Sequence, residues 1–179
     1  MIDEAKRIDG WMGKKSLRWL ARMARGPQRV AEVGVWMGRS TKALAHRNTG
    51  IIWAVDTWEG VPDDSMQAEL YTDPEHAHRQ FQHHLRNEIA TGQVVPLRMT
   101  SLDAAAQLLA DEVRLDMVFI DADHRYEACR DDIRAWRALV KRGGIIAGHD
   151  YGWPGVNRAV KEELPQHENV VQAIWVAKL

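Results

Sequence analysis

Short apolar runs alternate with longer amphipathic stretches along almost the whole chain. The apolar runs predict strands over residues 29–35, 51–55, 94–98, 117–120 and 144–147. Stretches with apolar residues at helical spacing predict helices over 3–25, 40–47, 75–89, 101–109, 126–140 and 156–164, with Ser40-Thr41 and Ser101 as N-terminal caps. The last apolar run, 170–177, predicts one strand or a short hairpin.

This order of elements is typical of an α/β protein. Several predicted strands, such as MVFI at 117–120, are apolar on both faces, as in a parallel sheet covered by helices on each side. We therefore expect a three-layer Rossmann-like sandwich with a mostly parallel sheet and an antiparallel C-terminal strand. No linker or repeat divides the sequence, so residues 1–179 are predicted to form one domain that begins with the helical segment 3–25.

Composition and charge exclude several classes of protein. The 179 residues include 24 Lys and Arg against 25 Asp and Glu, so nothing in the charge favours nucleic acid or an acidic membrane as a partner. The single Cys129 excludes a disulfide framework and a cysteine-based zinc site. The charged start MIDEAKRIDG lacks the apolar run of a signal peptide or membrane span, and we expect a cytoplasmic enzyme.

Small and acidic residues follow the first two predicted strands. Gly34 and Gly38 bracket a tight turn into a helix, whose exposed N–H groups suit an anion, although a purely structural turn explains this spacing about as well. Asp56, 22 residues after Gly34, ends the second strand, where a carboxylate can accept hydrogen bonds from both hydroxyls of a ribose. Together these features favour an adenosine-containing ligand over a solvated loop aspartate. The dinucleotide fingerprint Gly-x-Gly-x-x-Gly is absent.

A second polar group follows the fourth and fifth predicted strands. The segment FIDADHRYE supplies Asp121, Asp123 and His124, and the segment GGIIAGHDY supplies His149 and Asp150. Because the carboxyl ends of neighbouring strands meet at one sheet edge, these side chains can hold a divalent cation or provide a general base. The alternative is structural, with Asp121 as a helix cap and His149 as a satisfied polar group.

Several segments together resemble the class I S-adenosylmethionine-dependent methyltransferases, in particular the small branch related to sugar O-methyltransferases and cephalosporin-hydroxylase-type proteins. The segments that carry the resemblance are IDGWM, EVGVWMGRST, VDTWEG, FIDADHRYEACRDDIRAW, KRGGIIAGHDY and PGVNRAVKEEL. The resemblance implies S-adenosylmethionine as cofactor, with Trp58 covering the adenosine. The implied cofactor-binding residues are Glu32, Gly34, Gly38, Ser40, Asp56, Trp58, Ser101 and Asp121.

The resemblance also implies a catalytic group formed by His124 as base with Asp121 and Asp150. A metal site for Mg²⁺ is implied at Asp121, His149 and Asp150. His149 stands where related enzymes have an acidic residue, so only two carboxylates remain, and a metal-free mechanism with His124 as base stays open. The glycine loop also lacks the middle glycine of the commonest version.

The expected function is O-methylation of a hydroxyl on a small-molecule acceptor, with no nucleic-acid or membrane partner. The alternatives are a nicotinamide-dependent oxidoreductase, a non-catalytic cofactor-binding module and an iron-dependent hydroxylase that uses His124, His149 and Asp150. Trp11 and Met12 in the N-terminal segment are candidates for a lid and for a homodimer contact, and residues 60–74 are a second candidate lid. The histidines of EHAHRQFQHHLRN are expected to form a solvated helix face.

Overall fold

A seven-stranded sheet forms the middle layer of the computed structural model, which describes residues 2–60 and 73–179. The strands are β1 (Arg29–Val33), β2 (Ile51–Asp56), β3 (Val94–Arg98), β4 (Leu115–Ile120), β5 (Val140–Gly148), β6 (Glu168–Val171) and β7 (Ile174–Lys178). Their order is β3-β2-β1-β4-β5-β7-β6. The first five are parallel, whereas β7 is antiparallel to β5 and β6 to β7. The predicted Rossmann-like architecture is confirmed.

Helices cover both faces of this sheet. The described helices are α1 (Ile2–Arg7), α2 (Lys14–Met23), α3 (Arg39–Ala45), α4 (Pro74–His84), α5 (Arg86–Ala90), α6 (Ser101–Ala110), α7 (Tyr126–Arg137) and α8 (Pro154–Glu163). None of these helices has both the length and the apolar character that crossing a bilayer requires.

Alternation along the central strands builds two separate cores. In β4, Met117 and Phe119 belong to the core under α1 to α4, whereas Val118 and Ile120 belong to the core under α6 to α8. Since successive side chains of a strand point to opposite faces, an uninterrupted apolar run fills both cores at once. This is the physical reason why MVFI is correctly predicted as a strand of a sheet that is covered on both faces.

The prediction of one continuous helix over 3–25 is wrong, because the structure has two helices, α1 and α2, with a break between them. Gly10 has a φ of +142°, which other residues rarely adopt, and Gly13 is the N-cap of α2. The residues between the two helices, 8–13, are called the strap below.

Other boundaries also differ from prediction, and the stretch predicted as one helix over 75–89 forms two helices, α4 and α5. Gly38 rather than Ser40-Thr41 caps α3, because both hydroxyl residues lie inside the helix and are buried. Thr100, not Ser101, caps α6, accepting a hydrogen bond from the Asp103 N–H. The helix predicted over 126–140 ends at Arg137, because a turn at 138–139 follows and Val140 begins β5. The C-terminal run is the hairpin of β6 and β7.

Candidate active site

A cavity of about 730 Å³ opens at the carboxyl ends of the parallel strands. It receives side chains from the turns after β1, β2, β3, β4 and β5, and the strap forms part of its wall. Ligands of doubly wound sheets bind at this edge. The predicted site residues that line the cavity are Gly34, Ser40, Asp56, Ser101, Asp121, His124, His149 and Asp150.

The turn after β1 presses directly against the end of β4. Gly34 has a φ of +83°, and a Cβ at this position would lie 2.1 Å from the backbone oxygen of Asp121. Only glycine permits this approach. Gly38, at φ +89°, faces the Leu85 and Phe81 side chains and is not among the residues that line the cavity. The first glycine therefore shapes the cavity and the second packs α3 against α4.

Asp56 ties the end of β2 to the turn after β1. One carboxylate oxygen accepts hydrogen bonds from the Val35 and Trp36 N–H groups at 2.9 and 2.8 Å, and the other accepts from the Trp58 N–H at 2.8 Å. Burial raises the pKa of Asp56, and these N–H donors oppose that rise. The backbone of Thr57 also favours the charged form of this carboxylate.

Glu32 lies below the cavity and is not one of its lining residues. Its side chain is completely buried, and neither carboxylate oxygen has a hydrogen-bond partner within residues 2–60 and 73–179. Burial raises the pKa of Glu32 to about 8, although the nearby Ser40 and Thr41 hydroxyls favour the charged form. Burial therefore favours the neutral, protonated form of Glu32.

Trp58 does not cover the cavity as the resemblance implied. Its ring is fully buried, packs on His78 and Phe81 with centroid distances of 4.5 and 5.1 Å, and donates from Nε1 to the Trp36 carbonyl. A positive φ of 58° turns Trp58 into the core. Trp11, Trp36 and Trp153 instead supply the aromatic surface of the cavity.

Four titratable side chains meet after β4 and β5. His124 Nε2 lies 3.0 Å from Asp150 Oδ2, while His149 Nδ1 lies 3.2 Å from Asp150 Oδ1 and 3.8 Å from Asp121 Oδ1. Asp150 thus bridges both imidazoles, which it reaches from a left-handed backbone with φ 57°. Such strained conformations are concentrated at functional sites. The Trp153 ring stacks on His124 at 4.9 Å.

The pKa values of the side chains in this group are shifted in different directions. Hydrogen bonding to Asp150 raises the pKa of His124 above its usual value. Burial disfavours charge on Asp150, but the two histidines outweigh it and hold its pKa well below the usual range. Burial, assisted by repulsion from Asp150, raises the pKa of Asp121 to about 7. Asp150 is the permanent anion here, and Asp121 gains or loses its proton near neutrality.

The donor set is suited to a divalent cation. One ligand atom each from Asp121, His124 and Asp150 lies within 4.8 Å of the others, and all three side chains are half-buried. Two carboxylates and one imidazole suit first-row divalent metals as well as Mg²⁺. His124 thus joins the two aspartates in this group, and Nδ1 of the predicted ligand His149 lies 3.2 Å from Asp150 and 3.8 Å from Asp121.

The histidines between residues 76 and 84 lie away from this group. His76 and His83 are exposed, His78 packs against Trp58, and His84 Nδ1 lies 3.0 Å from the Met37 carbonyl oxygen. The candidate lid of residues 60–74 lies mostly outside the described residues.

Two features of the site escaped sequence reasoning. Arg39 holds the strap against the cavity, donating from Nε to the Ile8 carbonyl at 2.6 Å and from Nη1 to the Met12 carbonyl at 3.1 Å. Asp132 is buried and lines the cavity beside Ser101. The sequence contained a signal for Asp132, because its spacing from Cys129 and Trp136 places it on the apolar face of α7. An acidic residue on a buried face needs a partner, so this position indicates a polar contact.

Residues 31–151, more than half of the chain, match the model of a family described as a methyltransferase domain. No curated protein sequence matches this chain significantly.

Solved structures of low sequence identity share the fold. The calicheamicin methyltransferase CalS11 is 19% identical, with a TM-score of 0.69 over 92% of this chain and 77% of its own. An S-adenosylmethionine-dependent O-methyltransferase from Thermotoga maritima is 17% identical, with a TM-score of 0.70 over 99% and 70%. An O-methyltransferase from Bacillus cereus in complex with S-adenosylhomocysteine is 14% identical, with a TM-score of 0.71 over 99% and 87%.

Proposed function

The chain belongs to the methyltransferase-domain family, and from that premise we propose that it transfers the methyl group of S-adenosylmethionine to a hydroxyl of a small molecule. The observation that carries this proposal is that Gly34 and Asp56 line the same cavity as His124 and Asp150. The first pair suits an adenosine-containing cofactor and the second pair suits proton removal from an acceptor. Family membership argues against the nicotinamide-dependent alternative.

His124 is the proposed base. When its Nε2–H donates to Asp150, the imidazole is held in one tautomer and Nδ1 keeps a lone pair for the acceptor hydroxyl. Asp150 also stabilises the imidazolium that forms, as a carboxylate does in other acid–base pairs. The hydroxyl proton moves to His124, the oxygen bonds to the methyl carbon, and the carbon–sulfur bond breaks to leave S-adenosylhomocysteine. Positioning of the two reactants supplies much of the rate.

A divalent cation such as Mg²⁺ is the second proposal for the same group, with Asp121, His124 and Asp150 as its holders. When bound, such an ion lowers the pKa of a coordinated hydroxyl. Asp121, whose pKa is about 7, would then be held in its ionised form. Activity after treatment with EDTA separates the two proposals, because His124 acting alone needs no metal.

The acceptor is proposed to be small and not a nucleic acid. Among the described residues, both arginines that line the cavity are engaged: Arg39 with strap carbonyls and Arg125 with Asp123 through three hydrogen bonds. Neither is positioned to bind a phosphate. Trp11 lies at the cavity with 66% of its surface exposed, and we propose it as a lid or homodimer contact.

Calorimetric titration with S-adenosylmethionine and S-adenosylhomocysteine tests the cofactor assignment. We expect both to bind the wild type and binding to weaken in Asp56→Asn, which keeps the size of the side chain but loses its charge. Asp56→Ala also removes the acceptors of three backbone N–H groups. Its melting temperature must therefore be compared with that of the wild type, to separate lost binding from lost stability. Asp111→Asn, outside the cavity lining, is the control. Absence of binding to the wild type would overturn the proposed function.

His124→Ala tests the base. With S-adenosylhomocysteine binding unchanged, methyl transfer to responsive members of a panel of catechols and glycosides should fall by roughly 10²–10⁴-fold. Unchanged turnover with cofactor bound would exclude His124 as the base.

A further inference from the structure

The indole ring of Trp153 lies flat against the imidazole of His124, a contact that the proposed reaction does not use. The two ring planes differ by 13° and their centroids are 4.9 Å apart. We propose that Trp153 is a positioning residue, which holds the His124 ring so that Nδ1 faces the acceptor hydroxyl. This inference rests on the proposed function, because it needs His124 as the base of methyl transfer.

One hydrogen bond does not fix the orientation of an imidazole. The χ2 torsion of a histidine has only broad preferences, so the ring turns easily unless neighbouring groups hold it. Asp150 holds the Nε2 edge at 3.0 Å and leaves the ring free to tilt about that contact. The indole of Trp153 lies across one face of the imidazole and blocks a tilt toward that side. The two contacts together therefore restrict the direction of Nδ1 more than either does alone.

Both partners of His124 come from one turn after β5. The Trp153 N–H donates to the Asp150 carbonyl at 2.9 Å, which closes the turn over residues 150–153. Asp150 adopts its left-handed backbone at the start of this turn, and Trp153 is the N-cap of α8 at its end. The backbone of the turn therefore fixes the in-plane partner and the face partner of the imidazole relative to each other.

The turn is itself held on two sides. A Cβ on Gly155, in the first turn of α8, would overlap the His124 carbonyl oxygen, so α8 touches the backbone that carries the base. On the other side, the Tyr151 N–H donates at 3.0 Å to the carbonyl of Ala173, between β6 and β7. A side chain whose support is fixed in this way has the rigidity that precise positioning requires.

The surroundings of Trp153 agree with a role in the cavity rather than in a core. Trp153 lines the cavity and 46% of its surface is exposed. Trp11 is a second exposed tryptophan of the same cavity, but it packs against Trp36. Trp11→Leu is therefore the matched control, since it removes an exposed indole of the cavity wall that packs on another residue.

NMR spectroscopy tests the position of the ring without any acceptor. With EDTA present, the proton on His124 Nε2 should give a resonance in slow exchange with water, because Asp150 accepts this proton and Trp153 covers the ring. The resonance is assigned by its loss in His124→Ala. It should persist in Trp153→Phe, which keeps a flat aromatic face, and in Trp11→Leu, but should disappear in Trp153→Leu. The His167 ring, bonded to the Leu164 carbonyl, is the internal control.

Absence of the His124 resonance from the wild type would overturn the assignment. Its persistence in a folded Trp153→Leu would do the same, because the ring would then be held without the indole.

Turnover tests whether Trp153 acts through His124. With a responsive acceptor, Trp153→Leu should lower kcat roughly 10- to 100-fold, the loss expected when a reacting group is displaced by about 1 Å. The affinity for S-adenosylhomocysteine should not change, and Trp153→Phe should restore most of the rate. In the His124→Ala background, Trp153→Leu should cost no more than about a further twofold, because no base remains to be positioned.

A full additional loss in the double variant would show that Trp153 acts on the acceptor directly and would overturn the positioning role. The same role falls if His124→Ala lowers turnover and Trp153→Leu does not, and the proposed function then stands. Failure of the wild type to bind S-adenosylhomocysteine would instead overturn the proposed function.

Discussion

At the scale of single residues, the site depends on carboxyl groups whose charge is set by their surroundings. Glu32, Asp121 and Asp150 differ little in chemistry, yet the pKa is about 8 for Glu32, about 7 for Asp121 and well below the usual range for Asp150. Burial raises the pKa of Glu32 and, together with repulsion from Asp150, that of Asp121, whereas two imidazoles lower the pKa of Asp150. A neutral acid, a group that titrates near pH 7 and a permanent anion thus lie close together in the fold.

Glu32 should make the protein less stable as the pH rises. Its pKa is about 8 in the folded state against 4.5 for an ordinary glutamate, so its contribution is complete below pH 4.5 and is lost between pH 4.5 and 8. The linkage sets an upper limit of about 5 kcal/mol on this loss. In Glu32→Gln the side chain cannot ionise, so the variant should gain stability over the wild type from pH 5 to pH 8. Urea unfolding at both pH values measures this, and a difference independent of pH would contradict it.

Asp150 should control the protonation of His124. The carboxylate stabilises the imidazolium, so the pKa of His124 lies above its ordinary value and should fall in Asp150→Asn. An NMR titration of the His124 ring, with EDTA present, measures both proteins without any acceptor. His167, bonded to Tyr151 and to the Leu164 carbonyl, is the internal control. An equal His124 pKa in both proteins would show that Asp150 does not set it.

At the scale of elements, the position of the strap depends on contacts with residues that are distant in the sequence. Its ends are α1 and α2, yet it is held by Arg39 of α3. Trp11 also packs at a tilt against Trp36 of the turn after β1, with ring centroids 4.6 Å apart. The strap joins the cavity because one guanidinium spans two carbonyl groups. The fixed fork of an arginine makes this geometry possible.

Arg39→Ala should release the strap. The variant loses two hydrogen bonds from a charged donor, and each loss should destabilise the closed position of the strap by about 1.5–3 kcal/mol. Hydrogen exchange over residues 8–13 should accelerate, and S-adenosylhomocysteine should bind more weakly. Arg39→Lys keeps the charge without the fork and should resemble the alanine variant. If Lys restores slow exchange, charge rather than geometry holds the strap.

At the scale of the whole molecule, one sheet joins two cores. Trp58 lies in the core on one face, and Trp136 and Trp175 lie in the core on the other. Trp175 also donates to the His149 carbonyl, so the C-terminal hairpin is connected directly to the active-site group. Because the central strands contribute to both cores, the loss of either core removes packing from the sheet on which the other core also depends.

We therefore expect one cooperative unfolding transition. Tryptophan fluorescence, which reports on both cores, and far-UV circular dichroism should give the same midpoint. S-adenosylhomocysteine at about 100 times its dissociation constant should add about 2.7 kcal/mol to the free energy of unfolding. Two separate midpoints would show that the cores unfold independently.

The sequence by itself determined the order of elements and the edge of the sheet that carries the chemistry. An apolar run such as 117–120 can be buried on both faces only in a covered parallel sheet, and β3 was predicted with its observed bounds, Val94–Arg98. The segment FIDADHRYE places Asp121 and His124 next to each other by chain connectivity alone. Their proximity needs no long-range contact, which is why it was predictable, while their catalytic roles remain predictions.

The tertiary structure alone determined which residues that are distant in the sequence come into contact. Three contacts of the site join residues that are far apart in the chain. His124 and Asp150, 3.0 Å apart, are separated by 26 positions. Trp58 and Trp36 are separated by 22 positions, and Ser101 and Asp132 by 31. The break at Gly10 is stabilised by Arg39, a residue 29 positions later in the chain. Local spacing carries no information about such pairs, because their distances depend on how strands and helices pack.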